Sequence, residues 1–210
     1  MKLTKKNDCS KIKKYSDLEI MQKAIKLAKK AGDKGEIPIA AIIARDGEII
    51  SQAKNEVRTK NDPTAHAEII AIKKACKKLN NFRLPDCTIY TTLEPCIMCA
   101  GAIIETRFKK IIISAPDEKR GAIISKLNLV ESSASNHKME VEYGLMQNES
   151  SQMLSDFFRE IRKNKWIWRG IEVVITGLTR NQFACKRTWV RIPPSPPNKR
   201  VSARTYSFVY

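Results

Sequence analysis

Apolar residues recur at spacings of three and four near the start of the chain, at Leu18, Met21, Ile25 and Ala28, with lysines on the opposite side. That period predicts an amphipathic helix. Ser16 and Glu19 form a capping box at its start, and Gly32 marks its end. The pattern then changes. Residues 37–44 are a continuous apolar run, Asp46-Gly47 is a hairpin turn signal, and residues 48–53 read as the return strand. A polar loop at 55–63 leads into a second helix at 65–78. Residues 88–92 predict a short strand. A third helix begins at Pro95, a residue favoured in a first turn, and runs to 106. Strands at 110–114 and 139–141 and an amphipathic helix at 148–163 complete the pattern. Helices alternating with buried strands predict a layered α/β sheet.

Composition narrows the picture. Of 210 residues, 42% are apolar and 29% charged, which excludes collagen-like and disordered chains. The net charge of +17 sits mostly at the ends: residues 1–15 carry +5, residues 165–210 carry +8, and the stretch between carries +4. Such ends suit a polyanionic partner, and they equally suit solvating tails. No apolar run approaches the roughly 20 residues of a membrane helix. No apolar segment follows the N-terminal lysines, so no secretory signal is expected. These features predict a cytoplasmic protein. In that reducing compartment Cys9, Cys76, Cys87, Cys96, Cys99 and Cys185 are not a disulfide framework.

His66-Ala67-Glu68 and Pro95-Cys96-Ile97-Met98-Cys99 carry the chemistry. Two Cys at i and i+3 in a first helical turn face one way, so both sulfurs reach one ion. A helix N-terminus also favours the thiolate. A His opening a neighbouring helix adds a third ligand. Three protein ligands with a fourth position open is the catalytic zinc arrangement. Glu68, in the same first turn as His66, is placed to carry a proton. Taken singly, the His reads as structural, the Cys pair as redox or half a structural zinc site, and the Glu as a solvated helix residue. Together they form the known signature of the zinc nucleobase deaminases.

The likeness extends further. Asp62-Pro63-Thr64-Ala65-His66-Ala67-Glu68-Ile69, Thr92-Leu93-Glu94-Pro95-Cys96-Ile97-Met98-Cys99-Ala100-Gly101-Ala102-Ile103 and Leu154-Ser155-Asp156-Phe157-Phe158-Arg159 resemble the bacterial tRNA-specific adenosine deaminase family, within the cytidine and deoxycytidylate deaminase superfamily. The similarity covers residues 17–164 and is most specific in the two metal motifs. The resemblance implies a cytidine-deaminase-like three-layer α/β/α sandwich with a five-stranded mixed sheet. It implies hydrolytic deamination of adenosine to inosine at wobble position 34 of an arginine tRNA, by a homodimer. His66, Cys96 and Cys99 match the ligands of one Zn2+ per subunit, and Glu68 matches the proton shuttle. Asn55 matches a residue that binds the flipped base, Asp117 one in the loop that holds the anticodon nucleotides, and Phe158 an aromatic beside the RNA. On their own, these three read equally as a turn residue, a loop cap and a core aromatic. Pro116 departs from the family, which carries Arg there; Lys119 and Arg120 are the charges that could compensate. A free guanine or purine deaminase shares similar motifs, and a non-catalytic zinc RNA-binding module need not keep Glu68.

The domain organisation expected is a basic N-terminal extension at 1–15, a zinc deaminase domain at 16–164, and an unstructured basic C-terminal tail at 165–210. The tail differs in kind. It holds all three tryptophans and four of nine prolines. Back-translation offers an origin. Val190-Arg191-Ile192-Pro193 can be written as a tRNA T-arm, Trp168-Arg169-Gly170 pairs with Pro194-Ser195-Pro196 as an acceptor stem, and residues 178–182 fit a serine anticodon arm. The expectation is read-through into a tRNA gene, against a basic, aromatic RNA-binding extension as the rival. A gene sequence unable to fold as a cloverleaf would remove the first.

Overall fold

A computed structural model describes residues 13–178 except 133, 134 and 136, with side chains described as far as residue 163. The chain divides into two units, Met1–Trp166 and Ile167–Tyr210, and the architecture below is that of the first. Cys9, Cys185 and the proline-rich stretch 193–197 lie outside the described residues, as do most of the N-terminal extension and residues 179–210 of the tail.

Five strands form one mixed sheet in the order β2-β1-β3-β4-β5. β1 (Ala40–Arg45) and β2 (Glu48–Lys54) are antiparallel neighbours, joined by the predicted turn. Asp46 and Gly47 both have positive φ (48° and 81°), the conformation a two-residue hairpin needs to match strand twist. β1 pairs antiparallel with β3 (Thr88–Leu93), whereas β3, β4 (Lys110–Ala115) and β5 (Glu140–Tyr143) run parallel.

The three central strands β1, β3 and β4 are buried on both faces while the edge strand β5 is exposed, and the alternation of the central strands sorts two cores. Ala41, Ile43, Ile89, Ile111 and Ile113 face one side, against α3 (Ala67–Leu79) and α4 (Ile97–Thr106). Ile42, Ala44, Tyr90 and Ile112 face the other, against Ile20, Met21 and Ala24 of α1 (Asp17–Gly32). The result is the three-layer α/β/α sandwich. Between β2 and α3 in the chain, a short α2 (Val57–Lys60) ends on Asn61 in the left-handed region, φ 50°.

The predicted capping box forms: Ser16 N–H donates to Glu19 Oε2 at 2.8 Å, and Glu19 N–H donates to Ser16 Oγ at 3.3 Å. The apolar stripe of α1 is rotated from the expected one. Ile20, Met21, Ala24, Ala28 and Ala31 are buried, while Leu18 is 48% exposed. Tyr90 Oη donates to Asp17 Oδ1 at 2.6 Å, so the first turn is pinned to β3 through Asp17 and Leu18 turns away.

The last helix also differs. α5 runs Gln147–Leu178, whereas the expectation was an end near Lys163 and an unstructured tail thereafter. Once a helix is nucleated, each further residue adds a hydrogen bond at low cost, and no proline interrupts 147–178. Among the described residues no helix is long and apolar enough to cross a membrane.

Candidate active site

Two helix N-termini meet at the carboxyl end of β3, where α4 departs on its crossover to parallel β4 and the sheet changes from antiparallel to parallel pairing. Crevices at such points are where α/β sheets place ligands. His66 is the N-cap of α3 and Cys96 the N-cap of α4, both extended (ψ 151° and 173°), and neither side chain caps its own helix. Both turn instead toward a common point. The expected helix start at Pro95 therefore moves two residues on, because Cys96 takes the cap and Pro95 stays outside it.

His66 Nδ1 lies 3.7 Å from Cys96 Sγ and 3.5 Å from Cys99 Sγ. The three ligand atoms all fall within 4.8 Å of one another. A tetrahedral zinc with Zn–S near 2.3 Å and Zn–N near 2.0–2.1 Å sets N···S edges of about 3.6 Å. The donor set and its spacing fit that ion. The Cys99 thiol and His66 hydrogen-bond to the Cys96 sulfur and hold its pKa at about 3, so it is a thiolate at neutral pH. Cys99, which donates to Cys96 and is buried, is pushed up and keeps the proton in that arrangement. The Cys96 contact raises His66. Two soft sulfur ligands beside an imidazole select zinc over hard cations.

Glu68, in the first turn of α3, is buried, and burial holds its carboxyl above the usual range. Its Oε2 is completely enclosed and has no hydrogen-bond partner among the described residues. A buried carboxylate oxygen left unpaired costs about 1–3 kcal/mol. It is the mark of a group kept for a ligand or a proton.

The other expected residues are placed unevenly. Asn55 is buried at the end of β2, with Glu56 N–H reaching Ala65 O beside His66 at 3.0 Å. Its Nδ2 donates to Glu36 Oε2 at 3.2 Å. Glu36 is the residue that sequence reasoning missed. It is a buried carboxylate, 19 residues upstream of Asn55, that also accepts from Thr59 N–H at 2.6 Å and Thr59 Oγ1 at 2.8 Å. No local motif announces it. Its only sequence signal is an acidic residue just before an apolar strand.

Burial raises the Glu36 carboxyl, but the bonds from Thr59, Arg58 and Asn55 outweigh that and leave it below the ordinary value of 4.5. A lowered folded-state pKa stabilises the fold fully above the unfolded value, and the gain is lost as pH falls through the folded one. Glu36→Gln is expected to cost about 1–3 kcal/mol at neutral pH. The cost should shrink in acid. Urea unfolding of both proteins across that range checks this; an equal loss at every pH would refute an ionised Glu36.

Asp117 begins the loop after β4, and its Oδ1 accepts from Lys119 and Arg120 N–H at 3.0 and 3.1 Å. The carboxylate shapes its own loop. That loop lies beside the metal group, where the Arg120 charge opposes protonation of His66. Phe158 is on α5, exposed, with its ring edge-on to Phe157 at 5.5 Å between centroids. Phe157 lines the α1–α5 groove. This is the sheet face opposite α3 and α4, so Phe158 is not gathered with the His66, Cys96 and Cys99 group.

Fold and donor set together define a deaminase of the zinc-site class. Comparison with known proteins sharpens this. A family model for MafB19-like deaminases matches residues 15–162. The tRNA-specific adenosine deaminase of Aquifex aeolicus is 48% identical over 141 residues, 67% of this chain and 93% of that protein. That of Bacillus subtilis is 47% identical over 145 residues, 69% of this chain and 90% of its own length. A solved structure from a study of A-to-I editing by tRNA:A34 deaminases at the wobble position superposes with a TM-score of 0.63. It shares 40% identity and covers 65% of this chain and 99% of that one. The chain belongs to the tRNA-specific adenosine deaminase family. The guanine deaminase of Nitrosomonas europaea shares the fold at 21% identity and a TM-score of 0.57, over 68% of this chain and 84% of its own.

Proposed function

We propose that this chain hydrolyses adenosine to inosine at wobble position 34 of a tRNA, with an arginine tRNA as substrate, acting as a cytoplasmic homodimer. The observation that carries the reading is the convergence of a three-donor metal group with a buried, unpaired carboxylate oxygen at Glu68, in a chain of this family.

His66, Cys96 and Cys99 would hold one Zn2+, which when bound would acidify water and so supply a hydroxide nucleophile at neutral pH. The remaining work falls to the protein. The wobble nucleotide is splayed out of the anticodon loop into the crevice, since the target carbon is out of reach within a stack. Asn55, held by Glu36, binds the base. Glu68 takes the proton of the incoming water and gives it to N1 of the ring, which makes C6 electrophilic. The oxygen adds to C6, and Glu68 then takes the second proton from that oxygen and gives it to the amino group as the C6–N bond breaks, leaving inosine and ammonia. One carboxylate serves both steps because the acid and base roles alternate. The enclosure of Glu68 shields that proton from bulk water. Asp117 shapes the loop that meets the anticodon nucleotides, and Phe158, exposed on the sheet face away from the metal group, meets the RNA outside the crevice.

Incubating the zinc-loaded chain with an arginine anticodon stem-loop carrying adenosine at the wobble position, and separately with guanine, tests the reading by product mass. Inosine in the stem-loop with guanine unchanged is expected. Xanthine from guanine with an unchanged stem-loop would move the substrate to free purines.

The catalytic unit is residues 16–164, and the tail is read-through of a tRNA gene. A chain ended after residue 164 is therefore expected to keep kcat/KM within about threefold, since the read-through reading gives residues 165–210 no part in RNA contact. A tenfold or larger loss would favour the RNA-binding extension instead.

A further inference from the structure

Glu94 stands between the end of β3 and the Pro95-Cys96 turn, and it is only 3% exposed. A buried carboxylate needs either a cation or several donors. Among the described residues Glu94 forms no ion pair. Every donor it has comes from the loop after β4. Oε1 accepts N–H of Ile123 at 3.2 Å, Ile124 at 2.8 Å and Ser125 at 2.9 Å. Oε2 accepts N–H of Asp117 at 3.0 Å and the hydroxyl of Ser125.

Two backbone bonds close the same joint. Glu94 N–H donates to Ala115 O at 2.9 Å, and Ala122 N–H donates to Pro95 O at 3.0 Å. Loop 116–125 is thus wrapped around one side chain that is covalently two residues from Cys96. The wrap leaves no room at its tightest point: a Cβ at Gly121 would run into the Glu94 carboxylate and the Asp117 carbonyl. Charge-assisted bonds to backbone N–H groups are the stronger kind, and here one acceptor collects four of them.

We propose that Glu94 is a positioning residue for substrate specificity: it fixes the loop bearing Asp117 and Arg120 against the metal-binding turn. It thereby sets how tightly the anticodon is held, and it leaves the chemistry at the bound base to Glu68. The proposal rests on the tRNA reading above.

The two oxygens of Glu94 make the test selective. In Glu94→Gln the amide oxygen can keep the three N–H groups of Ile123, Ile124 and Ser125. The amide nitrogen can still meet the Ser125 hydroxyl, which is able to accept as well as donate. It cannot accept from Asp117 N–H, so that one anchor is lost. In the full-length zinc-loaded protein, Glu94→Gln is expected to raise the KM for the stem-loop about tenfold or more, with kcat within about threefold and zinc still at about one per chain. A kcat loss at constant KM, an unchanged KM, or a fall in zinc content matching the fall in activity would overturn it.

Hydrogen exchange read by mass spectrometry keeps the joint testable apart from turnover. Faster exchange confined to residues 116–125 of Glu94→Gln is expected, and exchange like the wild type overturns the proposal. Ser125→Ala, which removes only the hydroxyl donor, serves if the first variant does not fold. It should raise KM by a few fold and leave kcat alone, and an unchanged KM counts against the proposal. An inert wild-type protein would instead refute the tRNA reading, while the exchange result still judges the Glu94 joint.

Discussion

Replacing Glu68 by Gln is expected to lower kcat by about 10³-fold or more, within the range that a positioned general acid–base supplies. The substitution is nearly isosteric, so packing in α3 should survive, and the urea midpoint should move little. Zinc should remain bound, because the three donor atoms are untouched. Stem-loop affinity should also remain. This combination separates a proton carrier from a scaffold residue. Gln fills the same space and hydrogen-bonds, but it cannot take up and return a proton. The fully enclosed, unpaired Oε2 gives the second reason for a large effect: no other carboxylate or hydroxyl is bonded to it that could take over. Turnover near the wild-type rate, measured by inosine content after a fixed incubation, would refute the role assigned to Glu68.

Cys99→Ala is expected to remove both metal and activity. Cys99 is buried at the third position of α4, and its sulfur lies 3.5 Å from His66 Nδ1. Apparent free energies for zinc held by protein donors run to about 10–16 kcal/mol. Losing one of three donors at proportionate cost removes about 3–5 kcal/mol, roughly a 10³-fold loss of affinity. The hydroxide source goes with the ion. Zinc content by metal analysis should fall well below one per chain, and a prolonged incubation should yield no inosine. Thermal stability should fall too, because the ion ties the starts of α3 and α4 together, and binding to the folded state alone stabilises it. Exhaustive chelation of the wild type should reproduce the loss, and added zinc should restore the wild type but not the variant. Full zinc in Cys99→Ala would exclude Cys99 as a ligand.

The local grammar of this chain is unusually plain. The Ser16–Glu19 box, the Asp46-Gly47 turn and the short strand at 88–92 are each specified by a few adjacent residues, and the structure contains all of them. The metal group was legible for a related reason. Its two Cys share one helical turn, so spacing alone puts them on one face, and only His66 has to be brought from elsewhere. Where short-range rules were applied to helix ends they slipped. Pro95 favours a first turn, but Cys96 takes the cap because its side chain is wanted at the site. Leu18 fits the period of α1, yet the bond from Tyr90 to Asp17 rotates the stripe.

The polar carboxylates divide along the same line. Glu68 could be nominated from its place after His66, since two residues in one helical turn share a neighbourhood whatever the fold. Glu36 and Glu94 could not. Their partners lie 19–23 and 23–31 residues away in the chain, and nothing in a one-dimensional pattern marks a carboxylate that will be buried in backbone N–H groups.

The sequence by itself marked the main strands and helices, the layered class and the three residues that meet as a possible metal group, and it nominated Glu68 as the proton carrier, because each depends on contacts within a turn or on a short apolar run. The tertiary structure decided which loops are clamped to that centre. It joined Glu36 to Asn55, wrapped loop 116–125 around Glu94, and put Phe158 on the far side of the sheet. Those outcomes depend on where a parallel crossover and two antiparallel pairings bring distant segments, and that is settled only when the whole sheet closes.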